Sequence, residues 1–251
     1  MRTLGRSLLL VALSALPALA AGFDQTHAVY DRLLHLRVKG DRVDYAGLKD
    51  DPAPLDAYLR SLAAVSESEF DSWPKAEREA FIIDLYNASM IRSVVSHYPI
   101  ASVKDVALFF GVFREPAVHV WGRTMSLKTL ETDYARKLGD YRVHFALVCA
   151  SKGCPPLRAE AYVGRRLDAQ LDDQARRFFA QGWKNRVDAR DKTLYVSPIF
   201  KWFPEDFAAR GGAVGIARKF LPEAARRELR PGFAVSYTEY DWSLNDARVP
   251  R

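Results

Sequence analysis

Ala80-Phe81-Ile82-Ile83-Asp84-Leu85-Tyr86-Asn87-Ala88 is the stretch that decides the fold. Ser72 as an N-cap, or Pro74 at the first helical position, opens a helix around it. That helix runs from Lys75 to about His97 and stops ahead of Pro99. Wound helically, the nine residues put apolar groups on nearly every face, so the helix is central and buried. Asp84 and Asn87 lie three apart and share one face of it. Buried polar groups need partners, so this pair is expected to hold the backbone of another segment or to orient a catalytic group.

Shorter elements surround it. Phe23 to Arg37 reads as a helix, with Phe23, His27, Tyr30, Leu33 and Leu34 near one face. Val43-Asp44-Tyr45 is a short extended piece after a Gly40-Asp41 turn, and Leu55 to Ala64 is a second helix. Val118 to Trp121 and Thr124 to Leu127 flank Gly122-Arg123 as a hairpin. Ser126 caps a helix that carries Glu131 and ends at Leu138, and Val143 to Val148 reads as a strand. Leu167 to Gln181 is amphipathic, and Val187–Ala189 with Thr193–Val196 makes a second hairpin. Helices near Pro204–Ala209, over Ala213–Phe220 and from Pro222 precede a last strand, Phe233–Tyr237. No repeat or long linker divides the chain. The expected fold is α+β, a single domain whose central buried helix packs on a small, mainly antiparallel sheet among further helices.

The composition of the 251 residues, 49% hydrophobic and 27% charged, is that of a globular protein. Arg2 and Arg6, the apolar run Ser7–Leu16 and Ala18-Leu19-Ala20 have the layout of a signal peptide over residues 1–20, which leaves 21–251 as the domain. The apolar run is too short to span a bilayer comfortably, and no later run reaches eighteen residues, so the chain is expected not to span a membrane. The expected location is outside the cytoplasm, periplasmic or secreted, with no lipobox cysteine for a lipid anchor. Loss of Arg2 and Arg6 lowers the formal charge from +6 to +4. Nucleic acid is not an expected partner there.

The chain has only two cysteines, Cys149 and Cys154, in Val148-Cys149-Ala150-Ser151-Lys152-Gly153-Cys154-Pro155-Pro156. Two are too few to staple a whole scaffold, so the fold rests on its apolar core. Read as a strand-to-helix turn, the loop is a place for binding or chemistry. An oxidising compartment and Gly153 favour a local disulfide; a nucleophilic thiol, redox exchange and metal binding stay open. On a regular strand, His144 and Cys149 differ by an odd number and point to opposite faces about 16 Å apart, which disfavours that dyad. His119 or Glu131 is then the nearer choice of base. Cys-x₄-Cys with one histidine does not fill a tetrahedral shell, so no metal or other cofactor is expected. Ser151-Lys152-Gly153, with Lys152 and Arg158 adding charge, suggests an anion-binding nest.

His144 through Arg158 closely resembles the signature of the family known as domain of unknown function 547. Phe81 to Ala88, Ser126 through Glu131, Ile199 to Phe207 and Tyr240 to Asn245 resemble further segments of it, in order, from about Tyr45 to Asn245. The resemblance implies an exported bacterial type with recurrent polar positions at Asn87, Glu131, His144, Cys149, Ser151, Cys154, Lys201 and Asp206. Ile82 stands where a tryptophan is usual and Asp84 where an asparagine is usual. Plant relatives lack the paired cysteines, which favours a disulfide suited to the exported branch.

Two functions fit. One is a ligand-binding or interaction module with a pocket at the loop 149–158. There Ser151, Lys152 and Arg158 would hold a small anionic ligand, or part of an envelope protein, while Asn87, Glu131 and His144 order the pocket. The other is a thiol-dependent hydrolase or transferase of papain- or transglutaminase-like architecture. It would use Cys149 or Cys154 with His144, Glu131 and Asn87.

Overall fold

The quoted stretch lies in a 23-residue helix, Lys75–His97, in which every residue from Glu79 to Ile91 is buried. The computed structural model describes residues 22–106 and 108–248; the leader expected over residues 1–20 lies outside the described residues. Among the described residues, no helix is long and apolar enough to cross a membrane.

From the N-terminus, α1 (Ala28–Arg37) leads through β1 (Val38–Lys39) and β2 (Arg42–Val43) to α2 (Tyr45–Asp50). Then come α3 (Ala53–Ala63), α4 (Glu67–Ser72) and the central α5 (Lys75–His97). The first helix starts later than expected, because His27 sits in the left-handed region, φ 51°, as its N-cap. Strands β3 (Pro116–Val120) and β4 (Arg123–Ser126) form the first expected hairpin. Its turn falls one residue early, on Trp121 and Gly122, whose φ values of 55° and 67° are those of a tight hairpin turn. Ser126 caps α6 (Leu127–Thr129) by accepting the Thr129 N–H. That helix continues as a π turn (Leu130–Ala135) and a 3₁₀ turn (Arg136–Leu138), so the expected helix from Ser126 to Leu138 is present with a bulge in it.

Further on lie α7 (Leu167–Phe179), the hairpin β5 (Arg186–Asp188) and β6 (Thr193–Val196), α8 (Ile199–Trp202), α9 (Pro204–Ala208), α10 (Gly212–Phe220), α11 (Glu223–Glu228) and β7 (Ala234–Tyr237). The last strand pairs in parallel with β6. The architecture is α+β: a buried helix packed on α2, α3 and the β3–β4 hairpin, with small sheets around it.

Two apolar clusters make the core. The larger surrounds α5; the smaller joins Ala175, Phe178 and Phe179 of α7 to Leu194, Phe200, Phe207 and Phe220. Between them runs the segment 141–166, and it corrects two expectations. Val143–Val148 is not a strand: Tyr141–Phe145 is a 3₁₀ turn, and the next residues are irregular. Nor does a helix start after the two prolines, since the next helical turn begins at Gly164. The run is apolar because both clusters bury it, with Phe145 in one and Ala146, Leu147 and Val148 in the other. Periodicity does not separate such a segment from a short strand.

A buried backbone without a strand partner must find hydrogen bonds elsewhere. Here side chains supply them. Asn87 of α5 donates from Nδ2 to the Ala146 carbonyl at 3.0 Å and accepts the Val148 N–H on Oδ1 at 2.8 Å. Asp84 accepts the Tyr162 N–H at 3.1 Å, and Glu77 accepts that of Gly164 at 3.1 Å. From α7, Gln170 accepts the Val163 N–H at 2.9 Å and donates to the Ala161 carbonyl at 2.8 Å. Gln174 donates to the carbonyls of Phe145 and Pro156 at 2.9 and 2.7 Å. The Asp84–Asn87 face thus holds backbone. Burial pushes the Asp84 carboxyl well up and the His27 imidazole down to about 4, and His27 Nδ1 lies 3.4 Å from the carboxyl.

Asn87→Ala removes both partners of a buried peptide pair. We expect it to cost on the order of 1 to 3 kcal/mol in urea unfolding; unchanged stability would show that the ribbon does not rely on this amide.

Candidate functional site

Where the ribbon leaves the core it turns back on itself, and Cys149 and Cys154 are joined there in a disulfide. The loop docks along the C-terminal segment: Lys152 N–H donates to the Ser243 carbonyl, Gly153 N–H to that of Asp241, and Asn245 N–H to that of Ala150, at 2.8, 2.8 and 3.0 Å. Gly153 is required for this docking, because a Cβ there would stand 2.8 Å from Cδ1 of Tyr240. Ala150 takes a left-handed φ of 61°, a strained state for a residue with a Cβ, and one that surrounding contacts must impose.

The Tyr240 ring closes over the sulfurs. Its hydroxyl donates to Cys154 Sγ at 3.2 Å and lies 3.1 Å from Cys149 Sγ. Ser151 Oγ is 3.0 Å from Cys149 Sγ, and the Cys149 N–H donates to Cys154 Sγ at 2.8 Å. Burial pushes the Tyr240 phenol up, so at neutral pH it is a donor.

On one side of the disulfide opens a cleft of about 560 Å³. Its walls are mostly aromatic: Tyr86 from α5, Phe113, Trp202 and Phe203 around α8, and Tyr240 and Trp242 from the C-terminal segment. Its polar groups are Arg114, Lys128, Glu131 and His144. Glu131 sits on the π turn, a distortion that frequently marks functional positions. Burial raises its pKa against the pull of Lys128, whose Nζ is 3.5 Å away.

His144 is fixed on both sides. Its ring stacks on Phe203 with centroids 4.3 Å apart, and its Nε2–H donates to Asp206 Oδ2 at 2.6 Å. Asp206 in turn accepts Nε and Nη2 of Arg136 at 2.6 and 2.9 Å. Arg136, and then His144, hold the Asp206 carboxyl at about 2. Burial lowers the His144 pKa in spite of that carboxylate, so the ring is neutral at pH 7 with its lone pair on Nδ1.

His144 and Cys149 do not face apart as a strand would place them: the segment is a 3₁₀ turn, and both residues line the same cleft. Glu131 and Cys154 line it too. Asn87 does not; its amide is spent on the ribbon. Arg158 is buried between Glu160 and Asp173 and lines neither cavity. The amides of Lys152 and Gly153 are engaged with Ser243 and Asp241, so no anion-binding nest is open there. His119 is exposed and bonded to Thr124, and exposed Lys201 lies over the Tyr237 ring, away from the cleft. Among the described residues no cluster suits a metal ion.

Ser151, Lys152 and Cys154 line a second, smaller cavity of about 240 Å³, with Asp41, Asp241 and Lys184. Lys184 is buried, donates to the Cys154 carbonyl, and lies over the Trp183 ring at 4.6 Å. The residues that local reading missed are the distant ones. Asp206 stands 62 residues from His144 and Tyr240 91 from Cys149, and no spacing near the loop marks either. Asp206 and the Tyr240 segment were visible only through the family resemblance.

The fold and site describe an α+β protein with a disulfide beside an aromatic cleft. Residues 70–179 match the family described as protein of unknown function, DUF547, a span that holds α5, Glu131, His144 and both cysteines. The similar stretches at Ile199–Phe207 and Tyr240–Asn245 lie beyond the matched span. No curated protein and no solved structure matches the chain.

Burial lowers the Lys184 pKa from 10.5 to about 7. The unfolded chain therefore binds more protons between about pH 7 and 10.5, and the contribution of this lysine to stability rises with pH through that window. The stability difference between wild type and Lys184→Met should shift toward the wild type by about 1 to 2 kcal/mol from pH 7 to pH 9 in urea titrations. A constant difference would place the amine in an environment as wet as the unfolded chain's.

Proposed function

We propose that the protein is an exported ligand-binding module whose site is the cleft beside the disulfide, and that it takes a small molecule with a planar or apolar body and an anionic head. The observation that carries this reading is the division of the cleft. Aromatic faces make its walls, while its charged groups are biased in sign. Arg114 and Lys128 are two cations against the single carboxyl of Glu131, whose pKa burial raises, and burial lowers the pKa of His144. Pockets that are largely apolar with a few converging polar groups are the usual form of small-molecule sites. Export rests on the basic, apolar and small-residue pattern of residues 1–20.

The alternative, a thiol-dependent hydrolase or transferase, draws support from His144, Glu131 and both sulfurs sharing one cleft. It requires the disulfide to be open, since the nucleophile is a thiolate. The His144–Asp206 pair would then orient and tune a base.

The fluorescent probe 1-anilinonaphthalene-8-sulfonate has the proposed chemistry, an aromatic body and one anionic group. Titrated into the folded protein, it should bind one site, with Kd raised about 3- to 10-fold by Trp202→Ala and by Lys128→Ala. Affinities equal to wild type in both variants would move the ligand site elsewhere.

A further inference from the structure

The disulfide is surplus as a staple. Its short loop is already held at Ala150, Lys152 and Gly153 by the C-terminal segment, at Cys154 by Lys184, and at Pro156 by Gln174. Asn87 fixes the approach at Ala146 and Val148. Closing so small a loop removes only about 2 kcal/mol of chain entropy, and none of these bonds runs through a sulfur.

The sulfurs themselves stand among donors. The Cys149 N–H and the Tyr240 hydroxyl converge on Cys154 Sγ at 2.8 and 3.2 Å, and Ser151 Oγ lies 3.0 Å from Cys149 Sγ. A disulfide sulfur is a weak acceptor and gains little from such company; a thiolate gains much. Cys149 lines the larger cleft and Cys154 both cavities, so the bond can be approached without unfolding the loop.

We propose that Cys149–Cys154 is a thiol–disulfide exchange centre whose substrates are thiols or disulfides entering the aromatic cleft. This goes beyond the binding reading and does not depend on which ligand the cleft prefers. A substrate thiolate attacks Cys149 Sγ, which belongs to the less buried of the two cysteines. A bond forms between the two, the Cys149–Cys154 bond breaks, and its electron pair passes to Cys154 Sγ. The Cys149 amide and the Tyr240 hydroxyl hold that leaving thiolate. A second substrate thiolate then attacks the substrate sulfur of the mixed disulfide. This releases the substrate disulfide and leaves Cys149 as a thiolate facing Ser151. Two thiols lose two electrons and two protons, and the protein pair gains the electrons as a dithiol; the reverse sequence reduces a disulfide.

The test uses the oxidised full chain with reduced glutathione at pH 7, quenched and alkylated, with products read by mass. The native disulfide should open at least as fast as that of the same chain unfolded in urea. Cys154→Ser mixed with glutathione disulfide should carry glutathione on Cys149. Tyr240→Phe, checked for an unchanged melting temperature, should open about tenfold more slowly through loss of one donor to the leaving sulfur. A native disulfide that opens more than tenfold slower than the unfolded chain overturns the proposal, and that comparison needs no variant. A folded Tyr240→Phe at the wild-type rate overturns it as well.

Discussion

Side chains of two helices stand in for a missing sheet. Asn87, Asp84 and Glu77 on α5, with Gln170 and Gln174 on α7, accept from or donate to the backbone of a ribbon that has no strand neighbour over most of its length. The ribbon lies between two apolar clusters, where an unpaired peptide group costs about as much as a lost hydrogen bond. Each clamp therefore matters more for what its absence would expose than for its own strength. The spacing follows from helix geometry. Gln170 and Gln174 are one turn apart on α7, so both reach the same line of backbone.

This arrangement has a consequence for the site. A ribbon held by side chains can bend where a sheet strand runs straight. The 3₁₀ turn at Tyr141–Phe145 puts His144 beside Phe203 and Asp206, and five residues later the chain brings Cys149 to the same cleft. The disulfide loop then leans on the C-terminal segment, which delivers Tyr240 to the sulfurs. Arg136 and Asp206 fix the His144 ring, and the π turn sets Glu131 nearby. The cleft is thus assembled from positions far apart in the chain, with the family-matched span 70–179 supplying its floor.

The sequence was most legible where local physics acts alone. The all-round apolar α5 has no other place than the centre, and Pro99 ends it. The β3–β4 hairpin was found because Gly122 marks a turn, although the turn residues lie one position earlier. Asn87 in an apolar helix announced a buried partner, either backbone or a catalytic group, and the partner is backbone. The strand at Val143–Val148 was misread because burial from two sides writes the same apolar run as a buried strand. Nothing in the amphipathic pattern of Leu167 to Gln181 singles out Gln170 and Gln174, and only the folded ribbon shows what they hold. The Asp206–His144 and Tyr240–cysteine contacts, and the parallel pairing of β7 with β6, are long-range choices on which local pattern is silent.

Native-state hydrogen exchange of the ribbon amides shows whether helix side chains hold the ribbon. Val148, Tyr162 and Val163 donate to side chains of α5 and α7. If those clamps hold the ribbon, these amides exchange only through large-scale opening, with protection close to that of the middle of α5. Exchange at the rate of exposed loops would contradict the account, because the ribbon would then open on its own and the cleft would have no fixed floor.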